Sequence, residues 1–422
     1  MPTYYITTLN IIIPIFVILI LLEIFYANII NKSFVIRSMD TLSSLCSGLT
    51  NVIRDVLGLT IIIVSYSFMV NNFALFTIKT TWITYVIAFI GIDFAGYWVH
   101  RINHSINYFW NHHIVHHSSE EFNLACALRQ SISNFFSLTF VFLVPTAIVG
   151  VPAEVITFLA PLHLFAQYWY HTRLIGKLGF LEYILVTPSH HRVHHAINKE
   201  YLDKNLSQIF IIWDKLFGTF QKELNEVPPV YGVKRPVRSW NPIFINFTHL
   251  MVLIKDAWRT NNWYDKLRIW FMPTGWRPKD VENEFPIVSI DSSNDYEKYY
   301  PNLSMKLQIW SWIQYTLVFC FMMYFINNLY RISFVEGIQY AVFLYVSIYG
   351  LTSLMDQDSY AWIFEIGKSL FGFVLIMFYG DWFFISTYSD HAITLLQVYF
   401  VSSFTIVLYF SFYEKKLTSV IN

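Results

Sequence analysis

Charge is scarce in this chain. Lys, Arg, Asp and Glu make up 13% of its 422 residues, about half the ~25% usual for soluble domains. So few charges cannot cover a water-facing globule of this size. They do not signal disorder either, because a chain that is 55% hydrophobic and 19% aromatic collapses or inserts rather than staying solvated. Net charge is also missing: 28 basic residues balance 28 acidic ones. A balanced chain has no general field to draw in nucleic acid. Cysteine is nearly absent. Cys46, Cys126 and Cys320 are far apart and form no CxxC pair, which excludes a disulfide framework or a thiolate zinc site. No internal repeat or low-complexity tract interrupts the sequence.

Long apolar runs are abundant. A membrane helix needs ~20 mostly apolar residues to cross ~30 Å of hydrocarbon. By that ruler the sequence predicts nine spans: Leu9–Ile29, Val56–Val70, Trp82–Val99, Phe135–Val151, Val155–His171, Ile309–Ile326, Phe334–Leu351, Trp362–Tyr379 and Ala392–Phe410. The first has no small-residue cleavage site or basic leader, and reads as an anchor. Most Lys and Arg lie between Thr172 and Met305, with others after the first, third and last spans. Positive charge favours the cytosolic side. The expectation is therefore an all-α, multi-pass membrane bundle, N-terminus outside and C-terminus inside, with its histidine-rich face in the cytosol. Four regions follow: N-terminal spans (1–81), a histidine-bearing core (82–225), a polar cytosolic segment (226–305) and C-terminal membrane helices (306–422).

Histidine is the anomaly. Twelve of the fourteen fall between His100 and His195. His100 and His104 stand at i, i+4, one face of a helix. His113, His116 and His117 stand at i, i+3, i+4, as do His191, His194 and His195, all expected on one side of a turn. His171, at the end of the fifth predicted span, is placed to join them. Neutral imidazole binds Zn, Cu, Fe and Ni. Eight or nine imidazoles exceed the four ligands of one zinc site, so two metals are the economical reading. A nitrogen-rich site against a bilayer suits oxidation of an unactivated lipid C–H bond. Metal-bound imidazoles need partners on their other ring nitrogen. Asp93, two turns before His100, is one candidate; Glu121, Asn123 and Asn205 are others, with Glu120, Asp203 and Asp214 nearby. His163, His249 and His391 read as packing residues, and His112 and His190 as neighbours of the ligands.

The pattern HxxxH, HxxHH, HxxHH, with the flanking segments Asp93–Arg101, Ser118–Asn123, Ala127–Ser131, Thr187–His195, Asp203–Asn205 and Ile212–Phe220, resembles the fatty acid hydroxylase and sterol desaturase superfamily of integral membrane enzymes. Within it, these segments are most similar to the alkylglycerol monooxygenase branch. The resemblance runs from about Leu9 to Pro278. It implies two iron ions held by His100, His104, His113, His116, His117, His191, His194 and His195, with His171 as a ninth ligand. It further implies a cytosol-facing site, dioxygen and a lipid as substrates, and tetrahydrobiopterin or a cytochrome as electron donor. Hydroxylation beside an ether oxygen would give a hemiacetal that collapses to an aldehyde and a glycerol. A sterol or fatty acyl hydroxylase or desaturase would use the same metals. A metal transporter or metal-buffering protein is the alternative of another class, but its ligands would be strung through the bilayer rather than gathered at one face.

Overall fold

The computed structural model of the chain describes residues 3–31, 36–59, 64–134, 138–290 and 292–414. Among them there are helices and three isolated bridges but no strand. The helices are α1 (Thr3–Phe25), α2 (Ser38–Val56), α3 (Tyr66–Phe73), α4 (Trp82–Ser105), α5 (Asn107–His117), α6 (Thr139–Val149), α7 (Ala153–Phe165) and α8 (Pro188–His194). They continue with α9 (Ile212–Phe217), α10 (Pro242–Arg259), α11 (Trp263–Arg268), α12 (Lys279–Glu284), α13 (Met305–Asn328), α14 (Phe334–Met355), α15 (Ala361–Tyr379) and α16 (Ala392–Leu408).

Local chemistry starts many of them. Asn241 accepts from the Ile243 and Phe244 amides just before Pro242 opens α10. Ser304 caps α13 through the Leu307 amide. Ser333 and Glu336 exchange side-chain bonds with each other's amides at the head of α14, a reciprocal cap that satisfies two otherwise orphaned donors.

Among the described residues, six helices are long and apolar enough to cross a membrane: Ile6–Ile29, Trp82–Ser105, Met305–Asn328, Phe334–Met355, Ala361–Tyr379 and Ala392–Glu414. They coincide with the first, third and last four predicted spans. The other three differ. Within Val56–Val70, α2 ends at Val56 and α3 starts at Tyr66, and residues 60–63 lie outside the described ones. In place of Phe135–Val151 and Val155–His171 stand α6 and α7, of 11 and 13 residues, about 16 and 20 Å long at 1.5 Å per residue; residues 135–137 are outside the described ones. The turn between them needs Gly150, whose φ is +87° and where a Cβ would collide with the Phe76 carbonyl.

Among the described residues α2, a helix of 19 residues, also runs along the bundle. α1 starts at the far end, where Asn10 bonds to Asn327. It ends at the histidine end, where Glu23 accepts from Thr172 at 2.6 Å and from the Leu124 amide at 2.7 Å. The return is made by α2. Ser38 accepts from the Trp312 indole at 2.7 Å, and Leu57, just past the other end, faces Gly337 near the start of α14. Hydropathy misses α2 because it is enclosed by protein: Asp40, Thr41, Ser43, Ser44, Ser47 and Thr50 are all buried. α4 runs back, antiparallel to α6, with Trp98 stacked on Phe142 and Gly91 against Thr146. α7 lies alongside α4 through Phe89 and His163. α13 to α16 complete the passes, and their buried side chains share one core with those of α2.

Candidate metal centre

Nine imidazoles meet at the end of the bundle where α4, α5 and α8 converge. α4 stops at Ser105, and Ile106 takes an extended conformation, φ −125° and ψ 129°. The buried Asn107 side chain fixes this break by donating to the carbonyls of Ile269 and Trp276, both at 3.0 Å. α5 can then turn back so that its histidines face those of α4. α8 begins at Thr187-Pro188, with proline in the first turn, where its missing N–H costs nothing.

The imidazoles form two groups. His100, His104, His113, His117 and His194 make the first; His116, His171, His191 and His195 make the second. Within each, one ring nitrogen per residue lies within 4.8 Å of all the others. All nine residues singled out in the sequence are therefore brought together. Their division differs from the expected one-sided triplets. In each HxxHH word the i, i+4 pair stays in one group and the i+3 residue joins the other. Positions i+3 and i+4 point ~100° apart on a helix, so neighbouring histidines reach different centres. α5 gives two imidazoles to the first group and one to the second; α8 does the reverse.

The Nε2 atoms face one another. In the first group His113 Nε2 lies 2.9 Å from that of His100 and 3.1 Å from that of His117. In the second, His191 Nε2 lies 2.8 Å from that of His171 and 3.0 Å from that of His195, and His171 is 3.3 Å from His116. Five outward Nδ1 atoms meet oxygens: Leu206 carbonyl for His100 at 2.7 Å, Lys204 carbonyl for His194 and Gln167 carbonyl for His171 at 3.1 Å, Arg129 carbonyl for His116 at 3.2 Å, and the Asp203 carboxylate for His104 at 3.1 Å; His191 Nδ1 has no partner. A carbonyl can only accept, so Nδ1 carries the proton and Nε2 presents a lone pair. His116 and His171 thus aim lone pair at lone pair. The buried Nε2 atoms of His104 and His194 have no hydrogen-bond partner at all. Convergent nitrogen lone pairs of this kind suit a cation, and nitrogen donors without thiolates suit a transition metal.

Electrostatics agree. Burial, and then the neighbouring imidazoles, hold His113, His117, His191, His194 and His195 well below the ordinary histidine range, and burial pushes His116 down to about 3. These rings are neutral near pH 7. Aromatic side chains close over them: the Tyr170 ring centre is 4.3 Å from that of His191, and Phe122, stacked on Tyr231, is 5.2 Å from that of His195.

The supporting residues named from sequence are placed differently from the ligands. Asp93 is buried deeper along α4. It accepts from His163 Nε2 and the Trp213 indole at 2.8 Å, and from the amides of Ile209 and Phe210. Two helical turns separate it from His100, about 10 Å of rise, so it ties α7 and the α8–α9 loop to α4 instead of touching a clustered imidazole. Glu121 faces Arg37, Arg173 and Lys298. Asn123 accepts from the Cys126 amide, and Glu120 accepts from Tyr296 and Tyr299. Asn205 donates to the carbonyls of His190 and Gln221 at 3.0 and 2.7 Å. Asp214 accepts from the amides of Leu206 and Ser207 at 2.7 and 2.9 Å. These two brace the loop whose Lys204 and Leu206 carbonyls orient His194 and His100. Among the described residues, Asp203 is the one carboxylate that bonds to a clustered ring. The loop's signal is local: Asp203 and Asn205 have φ of +55° and +51°, a region Asp and Asn tolerate. Backbone carbonyl acceptors carry no residue signature, so sequence reasoning passed over them. His112 and His190 stay outside both groups.

Comparison with known proteins agrees with this geometry. The fatty acid hydroxylase family model matches residues 85–219, which contain all nine imidazoles. Alkylglycerol monooxygenase of Homo sapiens is 33% identical over 371 residues, 86% of this chain and 81% of that protein. Its counterpart in Danio rerio is 36% identical over 267 residues, 63% of this chain and 59% of that protein. An ornithine lipid hydroxylase of Rhizobium tropici is 27% identical over 136 residues, 32% of this chain and 41% of that one. No solved structure matches the chain. An integral membrane protein with a paired histidine cluster, related over most of its length to these enzymes, the chain belongs to the alkylglycerol monooxygenase family.

Proposed function

We propose that this protein is a membrane-bound non-haem di-iron monooxygenase that hydroxylates a lipid C–H bond next to an ether oxygen and so cleaves alkylglycerols. One observation carries the reading: nine imidazoles, seven buried and two (His113 and His116) partly buried, whose ring nitrogens converge in two groups, with the buried Nε2 atoms of His104 and His194 left without a hydrogen-bond partner. His100, His104, His113, His117 and His194 would hold one iron; His116, His171, His191 and His195 would hold the other. The bound irons supply activation of dioxygen and abstraction of hydrogen from an unactivated carbon.

The chain's own residues supply position and enclosure. The carbonyls of Gln167, Lys204 and Leu206 and the Asp203 carboxylate fix ring orientation and tautomer. Phe122, Tyr170 and Tyr231 keep water from the rings. None of the nine imidazoles is left to act as acid or base. Dioxygen, two electrons and two protons convert the ether carbon to a hemiacetal and release water; the hemiacetal collapses to an aldehyde and a glycerol. Tetrahydrobiopterin or a cytochrome supplies the electrons. The weight of Lys and Arg between Thr172 and Met305 supports a cytosolic site, and the core is proposed to be residues 82–225, flanked by membrane helices at 1–81 and 306–422.

A sterol or fatty acyl hydroxylase or desaturase would use the same centre and differ only in its lipid. Metal transport is not favoured, because the imidazoles gather at one end of the bundle. The test is product analysis with the full chain in liposomes, supplied with an alkylglycerol, iron and either reductant, under air and under argon. Oxygen-dependent fatty aldehyde is expected, and none from His194→Ala. Metal flux into the liposomes without lipid oxidation would refute the proposal.

A further inference from the structure

The segment from Pro242 to Phe271 carries apolar side chains on its outer face, while its inner face mixes apolar residues, Ile245 and Leu253, with buried polar ones. The inner face of α10 packs on α5 with polar groups: His249 Nε2 bonds to the Asn107 carbonyl at 3.1 Å, and the Asn111 side chain accepts from the Leu250 amide at 2.7 Å. Asn246 and Asp256 are buried there too. Its outer face is apolar: Phe244, Met251, Ile254 and Trp258 recur at helical spacing and are exposed, Trp258 by 85%. The row continues onto α11 and the turn after it, where Trp263, Tyr264, Leu267 and Phe271 are exposed by 66–77%. Water penalises a contiguous apolar face of this kind, which on a soluble protein marks an interaction site.

Two observations name the partner. The first is depth. The Asn107 and Tyr108 amides donate to the carbonyls of Met272 and Trp270 at 3.0 and 2.9 Å, and the Thr274 amide donates to Ser105. The strip after α11 is therefore fastened to the last residues of the α4 span. Along α10, Phe244, Phe247 and Met251 line an apolar groove of about 430 Å³ whose opposite wall includes Tyr349, inside the α14 span. The second is composition. Trp and Tyr are the residues of the membrane–water boundary. Lys255, Arg259, Lys266 and Arg268 flank them; Lys266 folds back to the Ala257 and Trp258 carbonyls, and Arg268 lies 4.7 Å over the Tyr264 ring. Cations beside a buried apolar face complement lipid headgroups.

We propose that α10 and α11 form a platform embedded flat in the lipid leaflet at the histidine end, with Trp258, Trp263, Leu267 and Phe271 below the headgroups. The partner is the bilayer itself, continuous with the belt around the spans. Because α10 also packs on the helix that carries His113, His116 and His117, the platform sets the height of the histidine centre above the leaflet.

The test uses the full chain carrying Cys320→Ser, since Cys46 and Cys126 are buried. A polarity-sensitive fluorophore is attached at Leu267→Cys and, separately, at Trp258→Cys, in vesicles of phosphatidylcholine with one-fifth anionic lipid, about the regime in which basic residues favour a surface. The expected result is blue-shifted emission that is lost with bromine-labelled phospholipid and insensitive to aqueous iodide, at both positions. Quenching by iodide and not by bromolipid would place the platform in water and overturn the proposal. Protection from both quenchers, with the protein migrating as a larger assembly, would make a second copy the partner and overturn it equally. Agreement between the two positions guards against a local disturbance from either substitution.

Discussion

Removing one imidazole should remove one ion. His191 is central to the second group, its Nε2 2.8 Å from His171 and 3.0 Å from His195. His191→Ala leaves three rings there and all five in the first group. Four-ligand structural zinc sites bind with about 10–16 kcal/mol, so one ligand is worth roughly 3 kcal/mol, a loss of about 100-fold or more in affinity. A metal present at 1,000 times its Kd stabilises the fold by about 4 kcal/mol; at ten times the weakened Kd it gives about 1.4 kcal/mol. The assay is metal per chain by elemental mass spectrometry after dialysis against a graded chelator, with thermal unfolding of the same samples. The parent should hold two ions per chain. His191→Ala should hold one and unfold at a lower temperature, and His113→Ala should do the same from the other group. A parent with one ion, or a His191→Ala protein that keeps two, would refute the division into two centres.

Four further outcomes follow from the packing. His113, His116, His117, His191, His194 and His195 have folded pKa values depressed below the unfolded value near 6.5, chiefly by burial, so the unfolded chain binds more protons between the two. Stability should be full above pH 6.5 and fall as pH drops below it, by about 1.4 kcal/mol per pH unit for each such ring; a melting temperature unchanged from pH 7 to 5.5 would contradict this. Asp214→Asn replaces one carboxylate oxygen that accepts from Leu206 or Ser207, which should cost about 1.5–3 kcal/mol and loosen metal retention, seen as faster loss to a chelator. In the C-terminal bundle, buried Lys368 bonds to Glu365, Gln314 and Ser403. Lys368→Met alone should destabilise by about 3–5 kcal/mol, and adding Glu365→Gln should recover part of it, measured as thermal stability in detergent. Gly91→Ala would drive a Cβ into the Thr146 side chain, at a cost of about 1–3 kcal/mol; Thr146→Ala in the same chain should relieve it.

Much of this architecture is legible in the sequence where periodicity and composition report the environment directly. The long lipid-facing helices declare themselves by hydropathy, and the clustered imidazoles by spacing. The failures have physical causes. α2 is screened from lipid by protein, so its serines, threonines and Asp40 carry no hydropathy signal, and Val56–Val70 looked like the crossing instead. The splitting of each HxxHH word depends on rotation about the helix axis and on what lies opposite, which spacing alone leaves open. Asp93 shares a face with His100, yet shared face is not shared depth, and its carboxylate is claimed by His163, Trp213 and two amides. The orienting carbonyls are invisible because any residue could provide them. The apolar outer face of α10 and α11 was masked by the cations interleaved with it.

The burial of α2 has a consequence for biogenesis. Too polar to enter lipid by itself, this helix finds its neighbours in α10, α13 and α14, which the ribosome delivers more than two hundred residues later. Asp40 holds the buried Arg129 guanidinium at 2.9 Å, and the Arg129 carbonyl in turn receives His116. A nascent chain that stalls before α10, α13 and α14 would own every ligand, yet α2, whose Asp40 steadies Arg129, would lack the helices that cover its polar side chains.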